Sequence, residues 1–259
     1  MHQSASLVAQ ERPNPRAWQR AKLVFILTFV LLGTWAGYRA IAAGLFQAQP
    51  PLIVGPFLET SITDATSGQS SIWVLWETPL DGIPQAEVQY GLDAGSLILQ
   101  ATGITTGTAG NSHMHEVQLA GLQPFTQYYY RVRTGAGDSD FSATHRFVTA
   151  PLPNSDTNFT FVTTSDEQPG EGNATYNRTI AYRVTDEIVN QVCGTAAACP
   201  DQMALLLSAG DNADQGGIYD EYKPWFDSRQ VLGQSIASIT ALGNHDYYLD
   251  ELEVRNWRG

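Results

Sequence analysis

Cysteine is scarce in this chain, which has only Cys193 and Cys199 among its 259 residues. The pair frames the stretch CGTAAAC with no histidine nearby, which excludes a structural zinc site built on four nitrogen and sulfur ligands. In an oxidising compartment the two close a small loop; otherwise they are two unpaired thiols. Basic residues are few as well: 14 Lys and Arg stand against 26 Asp and Glu, a net charge of -12. Five of those bases lie in residues 1–46 beside a single acid, so the remainder carries nine bases and 25 acids. A body this acidic excludes nucleic-acid backbones and anionic lipid as its partners, since both need basic patches. No glycine-rich phosphate loop follows any predicted strand, which argues against a lone nucleotide-binding domain. Helical periodicity is missing from residues 57–150, and no histidine follows His245.

The amino end holds what the body lacks. Arg12, Arg16, Arg20 and Lys22 precede the apolar run LVFILTFVLLGTWAGY, residues 23–38. Bases followed by hydrophobes form an export pattern, either a signal peptide cut near Ala40–Ala43 or an uncleaved signal anchor. The long basic lead favours the anchor, and a snorkelling Arg39 extends the run to Phe46, enough to span a bilayer. The expected arrangement is a cytoplasmic basic segment (1–22) and a single transmembrane helix (23–46), with every later residue outside. If the signal is cleaved, the protein is secreted. Sequons at Asn158, Asn173 and Asn177 matter only in a host that glycosylates.

Residues 47–56, QAQPPLIVGP, read as a proline-marked linker. SSIWVLWET then alternates, placing Ile72, Val74 and Trp76 on one face, and AEVQYG, HEVQLAG and QYYYRVRT behave alike. Short strands parted by Gly, Pro, Asp and Ser predict an antiparallel sandwich over 57–150. In GLQPFTQYYYRV, Leu122, Pro124, Thr126, Tyr128 and Tyr130 resemble the tyrosine-corner strand of fibronectin type III domains. Tyr128, Tyr129, Tyr130, Trp73 and Trp76 are read as core and corner residues rather than a ligand cage. His113 and His115 are read as structural rather than metal-binding.

After the linker at FVTAPLPNSDTN, the pattern over 157–259 becomes strand, helix, strand, helix, strand. FTFVTT, MALLLSAG and SIASITAL are apolar enough for buried strands, and Ile180, Val184 and Ile188 recur at helical spacing between Asn177 and Val192. IYDEYKPWFDSRQVL reads as helical around a break at Pro224. The alternation predicts a parallel sheet with helices on its faces. Polar residues collect where these strands end: Asp166 after the first, Asp211 after the second, and Asn244, His245 and Asp246 after the third. In open α/β sheets that edge is where ligands bind.

The order SD, GD, GNHD resembles the calcineurin-like metallophosphoesterases. With the fibronectin-like module in front, the layout looks most like purple acid phosphatases. That resemblance implies two metal ions, iron, manganese or zinc, with Asp211 bridging, Asp166 on the first ion and Asn244 on the second. It implies that His245 contacts the phosphate and protonates the leaving oxygen, with Asp246 orienting the ring. The substrate class implied is a phosphate ester, on a small molecule or a phosphoprotein. Three positions depart from the family pattern. Asp214 stands where purple acid phosphatases carry a tyrosine, Gln168 stands where many relatives carry a histidine, and the later lone His and GH-x-H blocks are absent. The expectation is therefore an extracytoplasmic phosphoesterase represented by its amino-terminal part, inactive in this form and with a sheet face and edge left uncovered. The rival expectation is a membrane-anchored binding module whose α/β part is a non-catalytic support.

Overall fold

The computed structural model describes residues 52–80, 85–108, 111–168, 174–216 and 218–247, all within one compact unit that starts at Gln49. The expected cytoplasmic segment 1–22, the expected membrane helix 23–46 and residues 248–259 lie outside the described residues. Among the described residues no helix is long and apolar enough to cross a membrane.

Eight strands build a sandwich: β1 Val54–Thr63, β2 Ser70–Pro79, β3 Glu87–Gly91, β4 Leu99–Thr102, β5 Ile104–Gly107, β6 Ser112–Leu122, β7 Gln127–Val132 and β8 His145–Val148. Strands β4, β3, β7 and β8 make one antiparallel sheet, while β5, β6, β2 and β1 make the other. The alternation in β2 does what its pattern requires, for Ile72, Val74 and Trp76 are fully buried against Val88, Val117, Leu119, Tyr130, Val132 and Phe147. Trp73 belongs to the opposite face and is partly exposed, which corrects its reading as a core residue. At the corner, the Gln123 amide donates to the Tyr128 hydroxyl at 3.1 Å, and the Tyr128 ring stacks on Phe147. The first strand starts earlier than the proline pattern suggests, because Val54–Pro56 belongs to β1. A register shift between Val54 and Phe57 accommodates the cis Gly55–Pro56 bond, as a proline in a strand requires.

Of the two histidines, His115 is structural. His115 is fully buried, bonds Thr78 through Nε2 at 2.8 Å and Thr105 through Nδ1 at 2.9 Å, and stacks on Trp76. Burial holds its pKa down at about 4, so the ring is neutral.

The α/β part follows as β9 Phe161–Thr164, α1 Ala174–Ile188, a π turn at Val189–Cys193, α2 Cys199–Gln202, β10 Leu205–Ser208, α3 Tyr219–Gly233 and β11 Ala237–Thr240. Strands β9, β10 and β11 are parallel, and α1 packs on α3. The predicted break at Pro224 does not occur. A proline there forfeits one helical hydrogen bond near the start of α3, and the buried Tyr222 and Trp225 on either side keep the helix in place. Beneath the helices Ile188, Cys193, Cys199, Met203, Leu206, Leu232 and Ile236 form a second core. The two cysteines are joined in a disulfide inside it.

The sheets are not separate. Strand β1 pairs antiparallel with β2 and parallel with β11, matching Leu58 with Ala237 and Glu59 with Ser238. One seven-stranded sheet results, in the order β5-β6-β2-β1-β11-β10-β9. Strand β11 is therefore covered by the sandwich, a pairing invisible to local pattern because its partners lie about 180 residues apart, while β9 is the outer strand of the sheet. Phe161 and Ile239 do remain exposed on the sheet face opposite the helices.

The disulfide closes a short loop, and Cys193→Ala/Cys199→Ala should lower the unfolding free energy by about 2 kcal/mol, read from the denaturant midpoint. Glu59 sits at the seam, buried and accepting a hydrogen bond from Ser238 Oγ at 2.8 Å, and burial raises its pKa to about 7. A carboxyl that holds its proton more tightly when folded stabilises the fold below its unfolded pKa of about 4.5, and that stability is lost as pH rises through about 7. Stability should fall by about 3 kcal/mol between pH 4 and 8 from this group alone. Glu59→Gln should flatten that slope in urea titrations across the range; an unchanged slope would refute the assignment.

Candidate active site

Three loops leave the carboxyl ends of β9, β10 and β11 and are laced together by backbone hydrogen bonds. The Asp166 amide donates to Gly210 O at 3.2 Å, and the Gln168 amide to Asp211 O at 2.9 Å. The His245 amide donates to Asp211 Oδ1 at 2.9 Å. Asp166 and Asp211 both adopt left-handed backbone, φ +56° and +55°, which aspartate tolerates better than most residues. Gly210 and Gly243 make this crossing possible. A Cβ on Gly210 would lie 2.3 Å from Gly243 N, and one on Gly243 would lie 2.0 Å from Asp211 Oδ1.

Asp246 has a different place from the one its motif suggests. Its carboxylate is fully buried and accepts amide hydrogens from Asp211 and Gly243 at Oδ2, both 2.8 Å, and from Asn212 and Ala213 at Oδ1, 3.1 and 3.2 Å. The Tyr222 hydroxyl adds a fifth contact at 3.4 Å. Four backbone donors converging on one carboxylate form an anion nest, occupied here by the protein itself. Asp246 thus clamps the loop carrying Asp211 to the loop carrying His245.

The imidazole is oriented by Asp214 instead. His245 Nδ1 lies 3.0 Å from the Asp214 carbonyl oxygen and 3.1 Å from its carboxylate. Both partners are acceptors, so Nδ1 carries the hydrogen and Nε2 becomes the nitrogen that exchanges a proton. The Asp214 carbonyl, with the charges of Asp211 and Asp214, raises the His245 pKa above the ordinary imidazole value. The sequence presented Asp214 only as a missing tyrosine; its spacing three residues after Asp211 was the available signal.

Asp166 is exposed and takes a hydrogen bond from Ser165 Oγ at 2.6 Å, Asp211 is half-buried, and Asn244 is exposed. Two carboxylates and one amide oxygen fit a hard cation in kind. They do not reach a two-ion centre in number, and no cluster of three or more His, Cys, Asp or Glu side chains able to hold a metal occurs among the described residues. Sequence reading also missed Glu167 and Arg229, a buried ion pair beside Asp166, because its partners are 62 residues apart.

An eight-strand sandwich fused to a parallel α/β sheet, with carboxylate, amide and imidazole groups at the strand ends, defines a two-part architecture. Residues 59–149, which lie within the sandwich, match the family described as purple acid phosphatase, N-terminal domain. No curated protein matches the chain. Among solved structures, the purple acid phosphatase PPD1 from yellow lupin (Lupinus luteus) seeds superposes with a TM-score of 0.54 at 16% identity, over 73% of this chain and 35% of that one. A structure of PhoD aligns with a TM-score of 0.48 at 14% identity, over 81% of this chain and 43% of that one. The chain spans about a third of the length of the lupin structure, and the likeness is one of fold.

If Asp246 holds the two loops together, Asp246→Ala strands buried amide donors and should cost about 3 kcal/mol of stability in chemical denaturation. Asp214→Ala removes the carboxylate but keeps the backbone carbonyl that bonds Nδ1, and should lower the His245 pKa only part of the way towards the ordinary imidazole value, measured by NMR titration.

Proposed function

We propose that this protein is part of a metal-dependent phosphoesterase that hydrolyses phosphate monoesters or diesters outside the cytoplasm, anchored through residues 23–46 with its amino terminus inside. The observation that carries the reading is the interlock of the Asp166, Asp211 and His245 loops at one sheet edge, behind a purple acid phosphatase type sandwich. Asp166, Asp211 and Asn244 would hold iron, manganese or zinc through their oxygens, and the cation when bound would supply charge to a phosphoryl group and a hydroxide near neutral pH. The chain's own residues supply the rest. Asp211 accepts the His245 amide, which fixes the carboxylate against Gly243. Asp214 holds Nδ1–H, leaving Nε2 to deliver a proton to the departing ester oxygen. A second reading, the sandwich as a recognition module with a non-catalytic α/β support, draws on the short donor count.

The test is cation binding and hydrolysis measured together on the full chain in detergent. Mn²⁺ should bind, with Asp166→Asn and Asp211→Asn each weakening it by at least about tenfold, a loss of roughly 1.4 kcal/mol or more. Turnover of p-nitrophenyl phosphate and its bis-ester should be trace, because three donors leave a two-ion centre short. Absence of Mn²⁺ binding, or binding indifferent to both substitutions, overturns the phosphoesterase reading in favour of the recognition module. Robust turnover abolished by Asp211→Ala would establish the activity and overturn the inference that the site is short of ligands.

A further inference from the structure

Of the three interlocked loops, the one carrying Asp166 has no share in the Asp246 nest. Its support comes from helix α3. Arg229 is almost fully buried; its Nη2 donates to Thr164 Oγ1 at 3.0 Å, its Nε donates to Glu167 Oε2 at 3.1 Å, and Nη2 pairs with Glu167 Oε1. Thr164 stands two residues before Asp166 and Glu167 one residue after it. A single guanidinium therefore grips the chain on both sides of the left-handed turn that presents the Asp166 carboxylate.

We propose that Arg229, through Thr164 and Glu167, is the positioning residue that sets the Asp166 loop against the Asp211 loop so that both carboxylates serve one cation. The cation is taken from the functional reading above, whereas the placement of the loop rests on geometry alone. Two physical points favour positioning over simple stabilisation. A buried ion pair returns little net stability compared with apolar side chains of similar volume, and this one leaves Arg229 Nη1 without a partner among the described residues. What the planar fork does supply is fixed direction: its donors meet a hydroxyl and a bidentate carboxylate at set angles, which a lysine cannot reproduce. The loop it fixes is the one whose amides at Asp166 and Gln168 bond Gly210 O and Asp211 O.

In the full chain, Arg229→Leu/Glu167→Leu replaces the pair with apolar side chains and should leave the melting temperature at or above the original. Hydrogen exchange read by mass spectrometry should nevertheless show the 164–168 segment exchanging at least about tenfold faster, with the β10 amides around Leu206 unchanged. Mn²⁺ affinity should fall at least about tenfold in parallel. Arg229→Lys keeps the charge and loses the fork, and should show the same faster exchange in a chain that stays folded if the double variant does not. Exchange at 164–168 within about twofold of the original in both variants overturns the proposal. If the original chain binds no Mn²⁺, the phosphoesterase reading fails, and the exchange comparison still decides whether Arg229 positions the loop.

Discussion

Strand β1 gives its backbone to both halves of the molecule, to β2 on one side and to β11 on the other. A parallel strand pair cannot be made by a hairpin and must be brought together by the intervening fold. The seam therefore requires that the sandwich, both crossover helices and the β9–β10 pair all be in place. It also sets where the strand-end loops emerge, since β11 takes its register from Leu58 and Glu59. Helix α3 seals the same strand from above, with Phe226 edge-on to Phe57 at 5.3 Å and Gly233 close against the Phe57 ring. Burying Glu59 at this seam is the cost of the arrangement, and its proton makes the junction sensitive to pH.

Within that frame the candidate site is held by polar contacts rather than by a core. The Asp246 nest joins the second and third loops, backbone bonds join the first and second, and the Arg229–Glu167 pair anchors the first from behind. Polar positioning of this kind gives direction at little gain in stability. Asp166 and Asn244 are exposed, while the Arg229–Glu167 pair behind the Asp166 loop is buried. The Arg146 guanidinium performs a similar service away from the site, pairing with Asp201 and the Ala197 carbonyl at 2.7 Å to tie β8 to the disulfide loop.

Much of this was legible beforehand, and the limits were physical. The face carrying Ile72, Val74 and Trp76, the corner at Tyr128 and the order of strands and helices after residue 157 follow from periodicity and turn residues, which act over a few positions. The grouping of Asp166, Asp211 and Asn244 at strand ends followed from topology alone. Roles within the group did not follow. Asp246 is the acidic neighbour of His245 in the motif and Asp214 stands 31 residues away, yet the backbone path turns Asp246 into the amides and brings Asp214 to the ring. Glu167 and Arg229 look like surface charges until both are found buried. The uninterrupted helix through Pro224 was settled by tertiary burial of its flanking rings over local propensity.

The sequence by itself determined the two-part architecture, the disulfide candidates, the acidic body and the polar residues placed at one sheet edge, because each depends on local pattern or on strand order. Tertiary structure alone decided that the two parts share one sheet, that Asp214 rather than Asp246 serves His245, and that Arg229 braces the Asp166 loop. Those outcomes depend on pairings between residues far apart in the chain, whose energies exist only once loop closure has brought the partners within hydrogen-bonding distance.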